Sequence, residues 1–322
     1  MRQSRSCAGR PTIAAVRSVI RTFVQLLAAH PRLTAFLGAL SITFSGILYR
    51  LADVSPETAS FFRCLYGLPL LAAAAYIERG QRGPLPRGGA RLAAFAGLLF
   101  AADLVFWHHA IDAVGAGLAT VLGNLQVVIV AVGAWLLFGE RPTARTVVAL
   151  PVVLGGIVLI AGVLGGDAYG ADPLLGGVLG VVAAFAYAGY LIVIRHVGRR
   201  HSAEPVAIST ASTTVAVLAV GLALGAIDLV PSWPAHGWLI LLGLSAQSAG
   251  YLFISLSLPR LPAVVTSIIL LAQPVLAVLF AMVLLAEDPS AGQLLGVALV
   301  IGGIALAIVP VRARFRGPAG SA

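Results

Sequence analysis

The sequence predicts an all-helical integral membrane protein, and its composition, its hydropathy and the length of its apolar runs all indicate this class. Of its 322 residues, 59% are apolar and 10% are Asp, Glu, Lys or Arg. Soluble domains carry about 25% charged residues. The mean hydropathy is +0.99. A chain of this composition has too few polar side chains to cover a water-soluble globule, which excludes a soluble enzyme and a nucleic-acid-binding domain.

Ten apolar segments are each long enough to cross a bilayer, which requires about 20 residues per helix. They do not alternate between apolar and polar residues as the strands of a membrane barrel do, so we expect ten transmembrane helices. The predicted spans are 33–51, 59–78, 92–111, 114–138, 145–165, 174–194, 206–227, 236–257, 261–285 and 291–311.

The distribution of charge predicts the orientation. All 21 cationic residues are Arg. If the N-terminus is cytoplasmic, every Arg except Arg50 and Arg63 lies in a segment on the cytoplasmic side, as the positive-inside rule requires. Most of the acids then lie in the outer loops. We therefore expect a multi-pass protein of the cytoplasmic membrane with both termini inside.

The two halves of the chain resemble each other at a shift of 147 residues. At this shift Thr120 aligns with Ser267, Gln126 with Gln273, and Glu140 with Glu287. Pro142 and the pair Gly155-Gly156 also have counterparts. Each half holds five spans, an odd number, so the second half is expected to be inverted, an arrangement that suits alternating access.

These features resemble the EamA branch of the drug/metabolite transporter superfamily. The resemblance rests on the fourth span ending in Phe138-Gly139-Glu140-Arg141-Pro142, on the Gly pair of the fifth span, on the echo of both features in spans nine and ten, and on the block 106–111. It implies a ten-helix transporter of small metabolites, commonly an exporter, with a central cavity. One departure is Val127, where members often carry Pro. A kink that depends on Pro is therefore expected in span nine, at Pro274, and is in doubt in span four.

The resemblance and the repeat divide the chain into four parts. Residues 1–32 form an Arg-rich cytoplasmic segment, 33–165 the first five-helix repeat, 174–311 the second repeat, and 312–322 a cytoplasmic tail. The function expected is secondary transport of a small metabolite, such as an amino acid or a drug-like compound. The open alternatives are an uncoupled facilitator and a lipid-handling membrane protein.

Ionisable residues within spans are candidates for substrate binding because burying them in a membrane is unfavourable. Asp103 is the only acid clearly inside a predicted span, while Arg63 lies about one turn into span two and Arg50 at the outer end of span one. Asp103 is expected to pair with Arg63 or Arg50, either structurally or as a site for a zwitterionic or anionic substrate. The alternative is that both Arg side chains reach the outer headgroups.

Two adjacent histidines allow either anchoring at the membrane interface beside Trp107 or proton coupling. On a helix Asp103 and Trp107 share a face, and His108 and His109 diverge from it in opposite directions, so at most one His can accompany Asp103. His109 is the candidate for proton coupling, together with Asp103. His108 is expected to pair with Asp112 across one helical turn.

Two amides occupy equivalent mid-membrane positions in the two repeats. Gln126 and Gln273 are expected to line the cavity and bind substrate, or to join helices by hydrogen bonds. The predicted substrate-binding set is therefore Asp103, Arg63, Gln126, Gln273 and Trp107.

The sequence contains no pattern that predicts a metal site, a cofactor or enzymatic activity. Cys7 and Cys64 are too far apart for a CxxC site, and no nucleotide-binding loop is present. The expected partners are a small-molecule substrate and membrane lipids, with no nucleic acid. Closely spaced glycines predict tight packing between helices within the chain, with a homodimer as the alternative.

Overall fold

The computed structural model describes residues 29–138, 144–164, 167–198, 201–257, 261 and 263–308. Within these ranges the chain is helical, with short connections. The helices are α1 (Pro31–Thr43), α2 (Ser45–Ala52), α3 (Pro56–Arg82), α4 (Arg87–Val114), α5 (Ala116–Gly123), α6 (Gln126–Phe138), α7 (Ala144–Ile160), α8 (Pro173–Val197), α9 (Ala203–Leu224), α10 (Trp233–Leu242), the π-helix Gly243–Gly250, α11 (Tyr251–Ser257), α12 (Ala263–Leu284) and α13 (Ala291–Ile308).

Each predicted span coincides with one helix or with consecutive helices, and the prediction of an all-helical fold is confirmed. Among the described residues, six helical segments are long and apolar enough to cross a bilayer: Pro31–Ala52, α3, α4, α8, α9 and Trp233–Ile254. In the remaining four positions, the apolar stretches whose residues are fully described are shorter, at 10–17 residues each. The count of ten crossings stays a prediction.

Span four contains a backbone break that the sequence did not predict. Helix α5 ends at Gly123 and α6 begins at Gln126, and the amides of Leu125 and Val128 bond to carbonyls three residues back. Such bonds tighten the backbone into a short turn. In span nine, Pro274 lies inside the continuous helix α12. The break therefore occurs in the repeat that lacks the proline.

Equivalent helices of the two repeats pack side by side in opposite directions. Near the start of α3, the Ser55 hydroxyl donates to the Ala226 carbonyl at 2.6 Å, whereas near its end Glu78 accepts from the Ala203 amide at 2.8 Å. Helices α3 and α9 are therefore antiparallel, as an inverted repeat requires.

The last helices of the two repeats meet in the same way, through glycines. A Cβ atom on Gly156 of α7 would lie 2.7 Å from the Gly296 carbonyl oxygen of α13, and one on Gly303 would lie 2.5 Å from the Val153 side chain. The residue numbers rise along α7 as they fall along α13, so these helices are also antiparallel. The glycines allow their backbones to approach closely.

The two ends of the bundle differ in charge. The connections at 53–55, 167–172, 225–232 and 285–290 lie at one end, here called the acidic end. The connection at 83–86 and residues 201–202 lie at the other, the Arg-rich end. The N-terminal residues 1–28, the segment 139–143 with Glu140, and the tail from 309 are outside the described residues, so expectations for them stay predictions.

We expect Gly156→Ala to destabilise the protein by about 1–3 kcal/mol, because its methyl group overlaps the α13 backbone. Gly155→Ala is the matched control, since a Cβ atom there meets no atom within 4 Å. This control should be neutral or slightly stabilising. Thermal unfolding of both variants in detergent tests the prediction, and equal melting temperatures would contradict it.

Candidate functional site

The buried charge of Arg63 lies at the centre of a polar site formed by α3, α4, α9 and the π-helix. Its Nε donates to Oε1 of Gln247 at 3.1 Å, and the Gln247 amide donates to the Thr210 hydroxyl at 3.2 Å. Arg63 and Gln247 are 4% and 1% exposed. We call Arg63, Asp103, Trp107, Thr210 and Gln247 the central polar site.

The π-helix and a glycine place Gln247 against Arg63. A Cβ atom on Gly67 would lie 2.6 Å from Cγ of Gln247, and one on Gly243 would lie 2.9 Å from the Arg63 carbonyl oxygen. The Ser248 hydroxyl donates to the Gly67 carbonyl at 2.8 Å and joins the two backbones. Such π-helical insertions occur frequently at functional sites.

Part of the charge in this site is unpaired. Among the described residues, neither Nη of Arg63 nor either carboxylate oxygen of Asp103 has a hydrogen-bond partner, and none of these atoms is fully enclosed. The Arg63 guanidinium lies 5.9 Å from the centre of the Trp107 ring. The structure thus brings Asp103, Arg63 and Trp107 to one site, where the two opposite charges interact without a salt bridge.

Four aromatic side chains form one wall beside Asp103. The Phe100 and Tyr190 rings stack at 4.8 Å, and those of Tyr187 and Tyr190 at 5.6 Å. The hydroxyls of Tyr187 and Tyr251 are 3.0 Å apart. We call Phe100, Tyr187, Tyr190 and Tyr251 the aromatic cluster. Phe100 and Tyr190 are almost fully buried, so the partly buried Tyr187 and Tyr251 are the members that retain exposed surface.

The two predicted amides have no partner among the described residues. Gln126 begins α6 directly after the break in span four, and its Oε1 is buried without a hydrogen bond. Gln273 is half-buried and precedes Pro274. Their role in substrate binding stays a prediction.

Arg50 does not pair with Asp103 as one alternative expected. Its Nη1 lies 3.5 Å from Asp112, which also accepts the Tyr49 hydroxyl at 2.7 Å. The expected pair of His108 and Asp112 is wrong for the same reason, since Tyr49 and Arg50 occupy this carboxylate. Asp112 therefore joins α2 to α4 at the acidic end.

The two histidines diverge as predicted, and of the two His109 alone remains partly exposed near the acidic end. His108 is fully buried, with Nδ1 2.8 Å from the Ser60 hydroxyl and the ring 4.4 Å from that of Tyr49. His109 is partly exposed, and its Nε2 lies 3.0 Å from buried Glu57. The roles of His109 in anchoring or in proton coupling stay predictions.

Glu287 joins the two repeats at the acidic end. Its carboxylate accepts hydrogen bonds from the amides of Ala116 at 2.6 Å and Gly117 at 3.1 Å, at the start of α5. Gly115, at φ +92°, is required here, because a Cβ atom would lie 2.7 Å from Glu287 Oε2. Burial raises the pKa of the Glu287 carboxyl above its ordinary value, while the two amide bonds lower it.

Sequence reasoning missed several residues that the fold brings together. Thr210 was not identified because hydroxyl residues are common in helices and do not reveal a partner. Glu57 could be recognised only as an outer acid, not as the partner of His109. Gln247, Tyr187, Tyr190 and Tyr251 are only weaker candidates from the sequence, because polar residues in apolar runs can equally pack between helices. The π-helix has no sequence signal.

The part of the chain that the structure describes holds no group of three or more His, Cys, Asp or Glu side chains suited to a metal ion. The arrangement observed is instead a charged and aromatic site between two antiparallel helical repeats. These features define the class as a helical membrane protein with an internal inverted repeat.

Comparison with known proteins identifies the family. The model of the EamA-like transporter family matches residues 32–162 and 174–309. An uncharacterized protein of Pseudomonas aeruginosa is 31% identical over 285 residues, covering 86% of this chain and 94% of the relative. One crystal structure superposes with a TM-score of 0.60 at 20% identity, covering 86% of this chain and 97% of the other, which shows a shared fold. This chain belongs to the EamA-like transporter family.

We expect Glu287→Gln to destabilise the protein by about 1–3 kcal/mol, because the new amide group faces an N–H group and cannot accept its hydrogen bond. Asp288→Asn is the matched control, being the adjacent acid and exposed. Thermal unfolding in detergent measures both. Equal shifts for the two variants would show that the bonds to Ala116 and Gly117 contribute nothing.

Proposed function

We propose that this protein is a secondary transporter that exports a small zwitterionic metabolite, an amino acid or a related drug-like compound, across the cytoplasmic membrane. It crosses the membrane ten times, with both termini in the cytoplasm. The observation that carries the proposal is one buried site in which the Nη groups of Arg63 and the carboxylate of Asp103 have no hydrogen-bond partner among the described residues.

The chemistry of the site favours a molecule with charges of both signs. The Arg63 guanidinium presents planar donors to a carboxylate, and the Asp103 carboxylate accepts from an ammonium group. Trp107 and the aromatic cluster would contact the remainder of the substrate. Export is proposed as the direction because it is common in the transporters that this sequence resembles.

Depth in the membrane supports a role in transport. Arg63 lies seven residues after the start of α3, and Asp103 eleven residues before the end of α4. At 1.5 Å per residue these positions lie about 10 Å and 16 Å below the acidic end. A site at this depth, bounded by helices of both repeats, is where inverted-repeat transporters bind substrate.

Release from proteoliposomes loaded with a whole metabolite extract, read by mass spectrometry, tests the proposal. Wild-type protein should release a selected set of zwitterionic compounds. Arg63→Gln and Asp103→Asn should each lower that release about tenfold or more, because each removes a charged contact to substrate. Arg50→Gln is the matched control and should retain release, since Arg50 pairs with Asp112 away from the site.

The variants must remain folded for this comparison, which size-exclusion chromatography in detergent checks. If selective release is retained in both Arg63→Gln and Asp103→Asn, these two residues do not bind the substrate. No selective release from folded wild-type protein would overturn the transport proposal itself.

We further propose that transport is coupled to protons through Asp103, with His109 and Glu57 exchanging protons at the acidic end. An imposed pH gradient should then change the rate of release by wild-type protein. Asp103→Asn should abolish this dependence, and His109→Gln should weaken it, because each removes a protonatable group. A wild-type rate that is insensitive to the gradient would instead establish an uncoupled facilitator.

The lipid-handling alternative has less support. A lateral groove of about 520 Å³ lies between α6, α7 and α8, and apolar side chains such as Val128, Leu154 and Phe185 line it. Moving a lipid headgroup through the bilayer requires polar contacts along its path. This groove offers contacts suited to acyl chains only.

A further inference from the structure

Arg63 is the buried arginine among those that the structure describes, and its hydrogen-bond partner is neutral. The exposed Arg50 and Arg82 lie 3.5 and 3.3 Å from carboxylate oxygens. Arg63 instead donates from Nε to the amide oxygen of Gln247. An amide oxygen satisfies this N–H group without carrying charge, so the positive charge of Arg63 is retained.

A carboxylate in the place of this amide would cancel that charge. The Nε–H and one Nη–H of a guanidinium point in the same direction and bind the two oxygens of a carboxylate as a bidentate pair. The Gln247 amide accepts through its one oxygen, and its NH2 group donates to the Thr210 hydroxyl at 3.2 Å. Both Nη groups of Arg63 therefore remain without a partner among the described residues.

The packing around Gln247 accepts a side chain of this shape with or without a charge. Its Cγ lies so close to α3 that a Cβ atom on Gly67 would come within 2.6 Å, and the residue is buried. Glu has the same shape as Gln, and the Thr210 hydroxyl can donate to a carboxylate as readily as it accepts from an amide. The property that separates Gln from Glu at this position is therefore its neutrality.

With a neutral Gln247, the charges of the central polar site add up to zero. The site holds one positive side chain, Arg63, and one negative side chain, Asp103, which is 9% exposed. The two interact without forming a salt bridge. A molecule with one charge of each sign supplies a partner to both, whereas a cation alone would leave the buried charge of Arg63 uncompensated, which is unfavourable.

We propose that Gln247 determines the charge class of the substrate. It binds Arg63 without neutralising it, and it thereby selects zwitterions and rejects amines that lack a carboxylate. With an acid at position 247, Arg63 would be neutralised within the protein, and the unpaired Asp103 would select a cation instead. This inference rests on the proposed function of the central polar site and adds the residue that sets its selectivity.

Two assays at neutral pH test the inference with amino acids and the primary amines that they yield on loss of the carboxylate. The first is thermal stabilisation of the full-length protein in an uncharged detergent, since a bound ligand raises the melting temperature. The second is release from proteoliposomes, with protein-free vesicles as background. Wild-type protein should prefer the amino acid of a matched pair. Gln247→Glu should change the ratio of apparent affinities by about tenfold or more in favour of the amine.

Two further variants separate charge selection from a merely structural role. Gln81→Glu is the matched control, because it makes the same change from amide to acid at an exposed position of the same helix as Arg63. It should keep the wild-type preference, since a distant surface charge is screened by salt. Gln247→Met removes the acceptor and adds no charge, so it should weaken stabilisation by amino acids without creating a preference for amines.

The inference is overturned if Gln247→Glu loses amino acids without gaining amines, because Gln247 would then only support the fold. It is also overturned if no amino acid stabilises the wild-type protein. If Gln247→Glu does not fold, Gln247→Met decides, and full stabilisation of that variant by amino acids would contradict the inference. A reversed preference in binding, with no release from wild-type vesicles, would support the inference and contradict the transport proposal.

Discussion

A guanidinium group inside the apolar part of the bundle is the constraint on which the centre of this structure depends. A buried charge that lacks hydrogen bonds is highly unfavourable in such surroundings. Arg63 therefore requires an acceptor, and Gln247 supplies it from the facing helix at 3.1 Å. This requirement is met by the π-helix together with Gly67 and Gly243, which allow the Gln247 amide to lie against α3. Thr210 fixes the orientation of that amide.

The same principle operates at both ends of the bundle, where helix termini leave amides without partners. Glu78 satisfies the amides at the start of α9, and Glu287 satisfies those at the start of α5. Each carboxylate comes from the opposite repeat. These contacts therefore complete a helix and join the two halves of the protein at the same time.

How far the sequence could predict the structure differs between the fold and the site. The length of the apolar runs predicted the helices, and the 147-residue shift predicted the inverted repeat. Both signals are reliable because each depends on many residues together. Asp103 and Arg63 were found because charge inside a span is rare. Gln247, the partner of Arg63, was only a weaker candidate and Thr210 was not identified, since neither has a distinctive pattern and they meet only when three helices pack. Asp112 shows the same limit. Its spacing from His108 along the helix favoured a pair between these two residues, whereas in the structure Tyr49 and Arg50 of α2 contact the Asp112 carboxylate.

The two repeats differ most where the backbone is irregular. Span four is broken between Gly123 and Gln126, whereas its counterpart α12 remains continuous through Pro274. Span eight contains the π-helix, whereas its counterpart α4 is regular over 28 residues. Repeats that alternate between two states must differ in conformation at any moment, because identical halves would open both sides or neither. The break lies beside Gln126 and the π-helix holds Gln247, so these two asymmetries between the repeats coincide with polar residues inside the spans.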